Sequence, residues 1–296
     1  TALIPLASKM GSNKYMKVIS GAFNMVLPVI IIGAIFSLVS TMNIGGYQAF
    51  LVESGLGALL ALPSKFTTDA IALYVAFTAG YSYVKNEGLD GLISILGFLI
   101  LTPLAVVAGE MGSVSYISFD FLGSKGLFGG LVVGLVTGAI FTLFIKKNII
   151  IKMPDGVPPA ITKSFAALIP GIVIAAFYIL VAFAFTSLTG LSFSPWLYSV
   201  LSAPLAALSG SLATFMVLLL FANILWFFGI HGGAVAIPFM IMLFFQAGIE
   251  NQAAFAANQP MVNILTVGFL FFLMLGGIGN TIGLAIDMFF FSKSER

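Results

Sequence analysis

Long apolar runs separated by short polar stretches set the pattern of this chain. A spanning helix needs roughly 20 mostly apolar residues. Runs of that kind lie near Ile19–Met42, Ala70–Val84, Leu89–Val107, Gly126–Ile145, Gly171–Leu188, Leu197–Phe228, Ala234–Phe245 and Met261–Phe291. The second and seventh are short, and the last is long enough to hold a break. The pattern predicts an all-α polytopic membrane protein with about eight transmembrane or re-entrant segments.

The stretch Lys152–Ile169, KMPDGVPPAITKSFAALI, has a different texture. Pro158 and Pro159 suit a helix start, where the first turn needs no N–H donors. From Ala160 the spacing predicts a short helix ending at Pro170, with Ile161, Phe165, Leu168 and Ile169 on one side and Lys163 and Ser164 towards the other. That is the pattern of an amphipathic helix lying in the membrane interface. It marks the expected domain boundary: one membrane domain over 1–151, an interfacial linker over 152–170 and a second membrane domain over 171–296.

Composition agrees with the pattern. Of 296 residues 60% are hydrophobic and 7% charged, with a mean hydropathy of +1.15, whereas a soluble domain carries about 25% charged residues. A net charge of +2 without a basic patch offers nothing to nucleic acid. Cysteine is absent and His231 is the one histidine, which excludes thiolate chemistry and a multi-histidine metal site. No metal or other cofactor is expected.

Lysine placement predicts orientation. Lys9, Lys14 and Lys17 precede the first run, and Lys146, Lys147, Lys152 and Lys163 follow the fourth. Positive residues favour the cytoplasmic side, and four crossings return the chain to the side where it started. Lys293 and Arg296 put the C-terminus there too. The connections 42–69 and 110–125 then face outward. Within the fourth run Gly130, Gly134 and Gly138 form a smooth stripe for another helix, either in the same subunit or across a dimer seam.

Candidate chemistry gathers where the apolar pattern breaks. Residues 164–249 hold no Asp, Glu, Lys or Arg, and His231 sits among them in WFFGIHGG at Trp226–Gly233. Gly229, Gly232, Gly233 and Pro238 weaken continuous helix here. A break without a charged loop fits a re-entrant hairpin or discontinuous helix lining a cavity. An ionisable residue within the membrane is a functional candidate, although a neutral imidazole pinning the hairpin would explain it too. Asp287, near the end of the last run, and Asn280 and Thr281, in GGIGNTIG, compete as polar positions.

Taken together, LIPLASKMGSNKYMKVISGAF at Leu3–Phe23, MPDGVPPAITKSFAALIPG at Met153–Gly171, WFFGIHG at Trp226–Gly232 and GGIGNTIGLAID at Gly276–Asp287 resemble the membrane IIC component of sugar phosphotransferase systems. The lactose/cellobiose/diacetylchitobiose branch is the one they are similar to. The resemblance implies a homodimer in the bacterial plasma membrane, with an N-terminal scaffold and dimerisation domain and a C-terminal sugar-binding domain. It implies a β-linked disaccharide translocated as it is phosphorylated from the phosphocysteine of a separate IIB partner. His231 would then be the catalytic candidate at the sugar hydroxyl, with Trp226, Gly232 and Asn280 as substrate-binding candidates. The family continues into further spans with an Asn-Glu-Pro motif, which this sequence lacks, so its C-terminal portion is expected to be missing here. Two other readings stay open: a secondary transporter relaying protons through His231, and a transport-incompetent scaffold or receptor.

Overall fold

A computed structural model describes residues 12–84, 89–109, 112–117, 119–227, 232–273 and 289–290. Helices account for nearly all of this. In chain order they are α1 (Lys14–Thr41), α2 (Tyr47–Glu53), α3 (Leu56–Thr67), α4 (Ile71–Val84), α5 (Leu89–Leu101), α6 (Leu127–Lys146), α7 (Pro159–Thr189), α8 (Phe193–Ser209), α9 (Leu212–Phe227), α10 (Gly232–Ala256) and α11 (Val267–Leu273). Among the described residues, four stretches are long and apolar enough to cross a membrane: Lys14–Thr41, Leu56–Val84, Ser124–Lys146 and Pro159–Thr189. Leu89–Leu101 and Leu212–Trp226 are shorter apolar helices. The helical membrane class read from the apolar runs is therefore the class of this fold.

The chain packs as two compact units, Gly21–Ala203 and Thr1–Ser20 with Pro204–Arg296. The divisions fall within α1, after Ser20, and within α8, after Ala203.

The larger unit is a bundle whose helix directions follow from its contacts. Gly21 of α1 lies against Ser82 and Gly33 against Thr67 and Thr68, so α1 runs antiparallel to α3–α4. The glycine stripe of α6 meets α4 in register: an added Cβ would sit 2.5 Å from the Ala72 carbonyl at Gly130, from Ala79 Cβ at Gly134 and from Tyr83 Cβ at Gly138. Both helices thus run the same way, and the stripe is used within one chain. No side chain fits there, and backbone approach is what glycine supplies. Helix α7 crosses α5 the same way, with Gly171 beside Ile93 and Gly97 beneath the Tyr178 ring. Phe98, Phe141, Ile174 and Tyr178 fill the core. The Tyr178 hydroxyl donates to the Val133 carbonyl at 2.9 Å and shares a 3.0 Å hydrogen bond with Thr137.

These directions gather α4's C-terminus, α5's and α7's N-termini and α6's C-terminus at one end of the unit. Lys146, Lys147, Lys152 and Lys163 belong to that end. Asp69, Asp120 and Lys125 lie at the other, where Lys125 pairs with Asp120 at 3.7 Å and Ala72 N–H donates to the Leu122 carbonyl at 2.8 Å.

Three local expectations change. The stretch 160–170 is not a separate helix, because α7 runs on through the buried Pro170 to Thr189. Its amphipathic turns are the first turns of a spanning helix. The connections expected to face outward carry structure of their own: residues 42–69 include α2 and α3. Residues 104–109 and 112–117 pair as an antiparallel hairpin, β1 and β2, with Leu104 opposite Ile117. The run Leu197–Phe228 is not one helix. It breaks at Gly210 and Ser211, where the Thr214 N–H donates to Ser211 Oγ at 3.3 Å and so caps α9.

Candidate functional site

The smaller unit contains α9 and α10, which flank residues 228–231. Helix α9 is described to Phe227 and α10 from Gly232; residues 228–231 between them lie outside the described residues. The two helices pack antiparallel. Near the tip, an alanine Cβ at Gly232 would land on the Ala222 carbonyl. Further along, Phe215 and Phe244, both buried, meet edge to face at 5.1 Å. Phe269 of α11 closes on Phe215 at 5.7 Å. Ala222, Leu225, Ala236, Met240 and Ile241 fill the seam.

The dimensions bear on what the tip can be. Helix α9 has 16 residues and rises about 24 Å at ~1.5 Å per residue. The hydrocarbon core is about 30 Å thick, so the described residues of α9 account for most of one crossing. A helix pair that turns within the membrane puts irregular backbone at depth, which is tolerated where it lines a cavity or protein. The re-entrant hairpin or discontinuous helix expected at Trp226–Gly233 turns on residues 228–231, which lie outside the described residues.

Of the sequence candidates, Trp226 and Gly232 flank the tip. Gly232 is buried, and Trp226 keeps 39% of its surface exposed, so its ring is not core filling. His231, Asn280, Thr281 and Asp287 lie outside the described residues.

Sequence reasoning missed a polar lock at the far end of α10. The Asn251 amide donates to the Asn263 carbonyl at 2.6 Å, and the Asn263 N–H returns a 3.0 Å bond to Asn251 Oδ1. One side chain thereby satisfies both backbone groups of a residue in the extended stretch before α11. The Asn263 amide also donates to Glu250 Oε2 at 3.0 Å, and the Gln246 amide to Glu250 Oε1 at 3.1 Å. Gln246 and Glu250 stand four apart on one helix face, and that spacing was the available signal. Beside the lock lies a cleft of about 340 Å³ lined by Ser209, Gly210, Leu212 and residues 262–265.

Asn258-Gln259-Pro260, which resembles Asn-Glu-Pro only poorly, has a local explanation. Asn258 adopts φ 53°, its N–H bonds the Phe255 carbonyl at 3.0 Å, and Gln259 N–H bonds the Ala254 carbonyl at 2.8 Å. This is a left-handed helix C-cap followed by proline, a common way to stop a helix.

Comparison with known proteins gives this geometry a setting. The family model "Phosphotransferase system, EIIC" matches residues 20–296. The oligo-beta-mannoside-specific EIIC component of Bacillus subtilis (strain 168) is 30% identical over 309 residues, covering 99% of this chain and 68% of that protein. The cellobiose-specific EIIC component of Geobacillus stearothermophilus is 32% identical over 312 residues, covering 99% and 69%. The crystal structure of the transporter ChbC, the IIC component from the N,N'-diacetylchitobiose-specific phosphotransferase system, superposes with a TM-score of 0.86 at 30% identity, covering 98% of this chain and 71% of that one.

Proposed function

The chain belongs to the EIIC family of the phosphotransferase system, and on that premise we propose that it is a sugar permease component for β-linked di- or oligosaccharides. The relatives named for cellobiose, oligo-β-mannoside and diacetylchitobiose support that substrate class. The observation that carries the reading to particular residues is the antiparallel packing of α9 and α10, whose described ends, Phe227 and Gly232, adjoin His231 in the sequence.

The chemistry proposed there is phosphoryl transfer. A sugar hydroxyl attacks phosphorus, the new O–P bond forms as the S–P bond of a IIB phosphocysteine breaks, and the thiolate leaves with the electron pair. These 296 residues hold no cysteine, so the phosphocysteine donor would lie outside them, on a IIB component. A neutral imidazole at His231 would take or hold the hydroxyl proton as the nucleophile develops, and positioning supplies most of the remaining acceleration. Trp226, half exposed beside the tip, would offer an apolar ring face to the sugar. Gly232 would admit close backbone approach, and Asn280 an amide to a hydroxyl.

The wider arrangement follows the same reading. The basic end of the larger unit faces the cytoplasm by the positive-inside rule, with both termini inside. The N-terminal portion acts as scaffold and dimerisation surface of a homodimer, and the portion after the linker carries sugar.

Equilibrium binding of a labelled β-linked disaccharide to the purified protein tests this. Binding is expected in the wild type and lost in His231→Ala. A folded protein that binds no β-linked disaccharide contradicts the proposal and favours a scaffold or receptor.

A further inference from the structure

A groove runs along the outer face of the larger unit between α5 and α7. It has a volume of about 340 Å³ and is walled by Leu92, Ile93, Leu96, Leu168, Ile172 and Ala175, with Ser164 as its one polar side chain. Four of its walls are open to the surroundings: Leu92 at 58%, Leu96 at 46%, Leu168 at 46% and Ile172 at 68% exposed. In water such a strip would be costly. On a helix that spans the membrane it meets hydrocarbon.

Three features single this groove out from ordinary lipid-facing surface. First, it is a depression. Gly171 has no side chain to fill it, and an added Cβ would stand 3.3 Å from Ile93 Cδ1. Second, its two helices run parallel, with Ile93 beside Gly171 and Gly97 beside Tyr178, so both begin at the same end. Unsatisfied N–H groups and the positive dipole ends therefore point the same way. Third, that end is basic. Lys163 immediately precedes the groove residue Ser164, and Lys146, Lys147 and Lys152 lie on the C-terminus of α6 and the segment joining it to α7. Among the described residues the acids at this end are Asp155, which is exposed, and Asp90, which is fully buried and accepts the Gly91 N–H at 3.0 Å.

We propose that the α5–α7 groove is a specific site for an anionic phospholipid, with one acyl chain along Leu92, Leu96, Leu168 and Ile172 and the phosphate at the Lys163 end. Basic pockets between membrane helices bind anionic headgroups by this logic. The apolar trough supplies the chain contacts, and the shared positive end supplies the preference for charge. This does not depend on the sugar reading, since it concerns lipid retention alone.

Native mass spectrometry of the whole protein tests it, with phosphatidylglycerol and phosphatidylcholine of matched acyl chains added to the detergent. The wild type is expected to retain phosphatidylglycerol preferentially. Lys163→Gln should reduce that preference about fivefold, as expected for one lysine near an anionic headgroup, while Lys65→Gln, at the opposite end, leaves it unchanged. Gly171→Leu should fill the trough and lower retention of both lipids, and Leu96→Asn, at an exposed wall, should do so without touching the core. Equal retention of the two lipids by the wild type overturns the proposal, as does a preference unaltered in Lys163→Gln. The natural absence of cysteine allows a further check. Oxidative cross-linking of Leu168→Cys between two copies would show that a second chain occupies the groove, and would overturn the lipid assignment.

Discussion

Replacing Gly134 with alanine tests the packing of the larger unit where α6 lies directly against α4. The new Cβ would lie 2.5 Å from Ala79 Cβ and 2.9 Å from both the Ala76 carbonyl oxygen and the Gly80 nitrogen. Two of those three neighbours are backbone atoms, so no side-chain rotation relieves the contact and the α4–α6 pair must separate. Overpacking of this kind costs about 1–3 kcal/mol. Alanine recovers about 1 kcal/mol over glycine in a helix interior. With rigid neighbours the cost falls towards its upper end, and a net loss of about 2 kcal/mol is expected. Gly129, one residue before the stripe, is the matched control. A Cβ there would find Phe98 at 3.7 Å and Leu197 at 3.8 Å, which is ordinary contact, so Gly129→Ala should gain up to ~1 kcal/mol. Thermal unfolding in detergent, read by size-exclusion recovery, should therefore order the midpoints Gly129→Ala, then wild type, then Gly134→Ala. Equal midpoints for the two variants would refute the packing argument. A Gly134→Ala protein that keeps its midpoint but loses its oligomeric state would move the stripe to a seam between subunits.

Two further outcomes follow from named contacts. Tyr178→Phe removes the buried hydroxyl that bonds Val133 and Thr137. Thr137 can redirect its hydroxyl to the carbonyl four residues back, so the loss should be about 1 kcal/mol, closer to the ~0.6 typical of interhelical bonds in membranes than to a stranded polar group. A double-mutant cycle with Thr137→Val should show coupling, and additivity of the two would contradict the bond. At the hairpin, Gly232→Ala must displace the Ala222 carbonyl or the tip itself, and disaccharide affinity should fall by about tenfold or more, the change that ~1.4 kcal/mol brings. Gly248→Ala, whose nearest new neighbour is Thr266 Cβ at 4.0 Å, should bind like the wild type, and equal losses in both would deny the tip a special role.

Much of this architecture was visible in the residues before any coordinates. Apolar length announces a spanning helix because hydrocarbon leaves a backbone no other partner than itself. The reversal of direction between α9 and α10 was legible for the complementary reason: glycines and a histidine interrupt a stretch with no charged loop to explain them. Other features were hidden because they depend on partners distant in sequence. Gly210 and Ser211 split one apolar run, yet only the cap on Thr214 and the turn that follows distinguish that pair from small residues at a helix contact. Pro158 and Pro159 signalled a helix start correctly, but nothing local said that Pro170 would be passed rather than obeyed. The glycine stripe specified close approach without naming the neighbour, and the Asn251–Asn263 lock joins two residues whose pairing no periodicity marks.

The fate of the sugar decides whether its transport is coupled to phosphorylation, as proposed. Vesicles containing the full-length protein can be supplied with a labelled β-linked disaccharide and a IIB partner carrying radioactive phosphate on its cysteine. Radioactive phosphate is expected on the internalised disaccharide, dependent on the IIB partner and abolished in His231→Ala. Accumulation of unmodified sugar, with or without that partner, would contradict it.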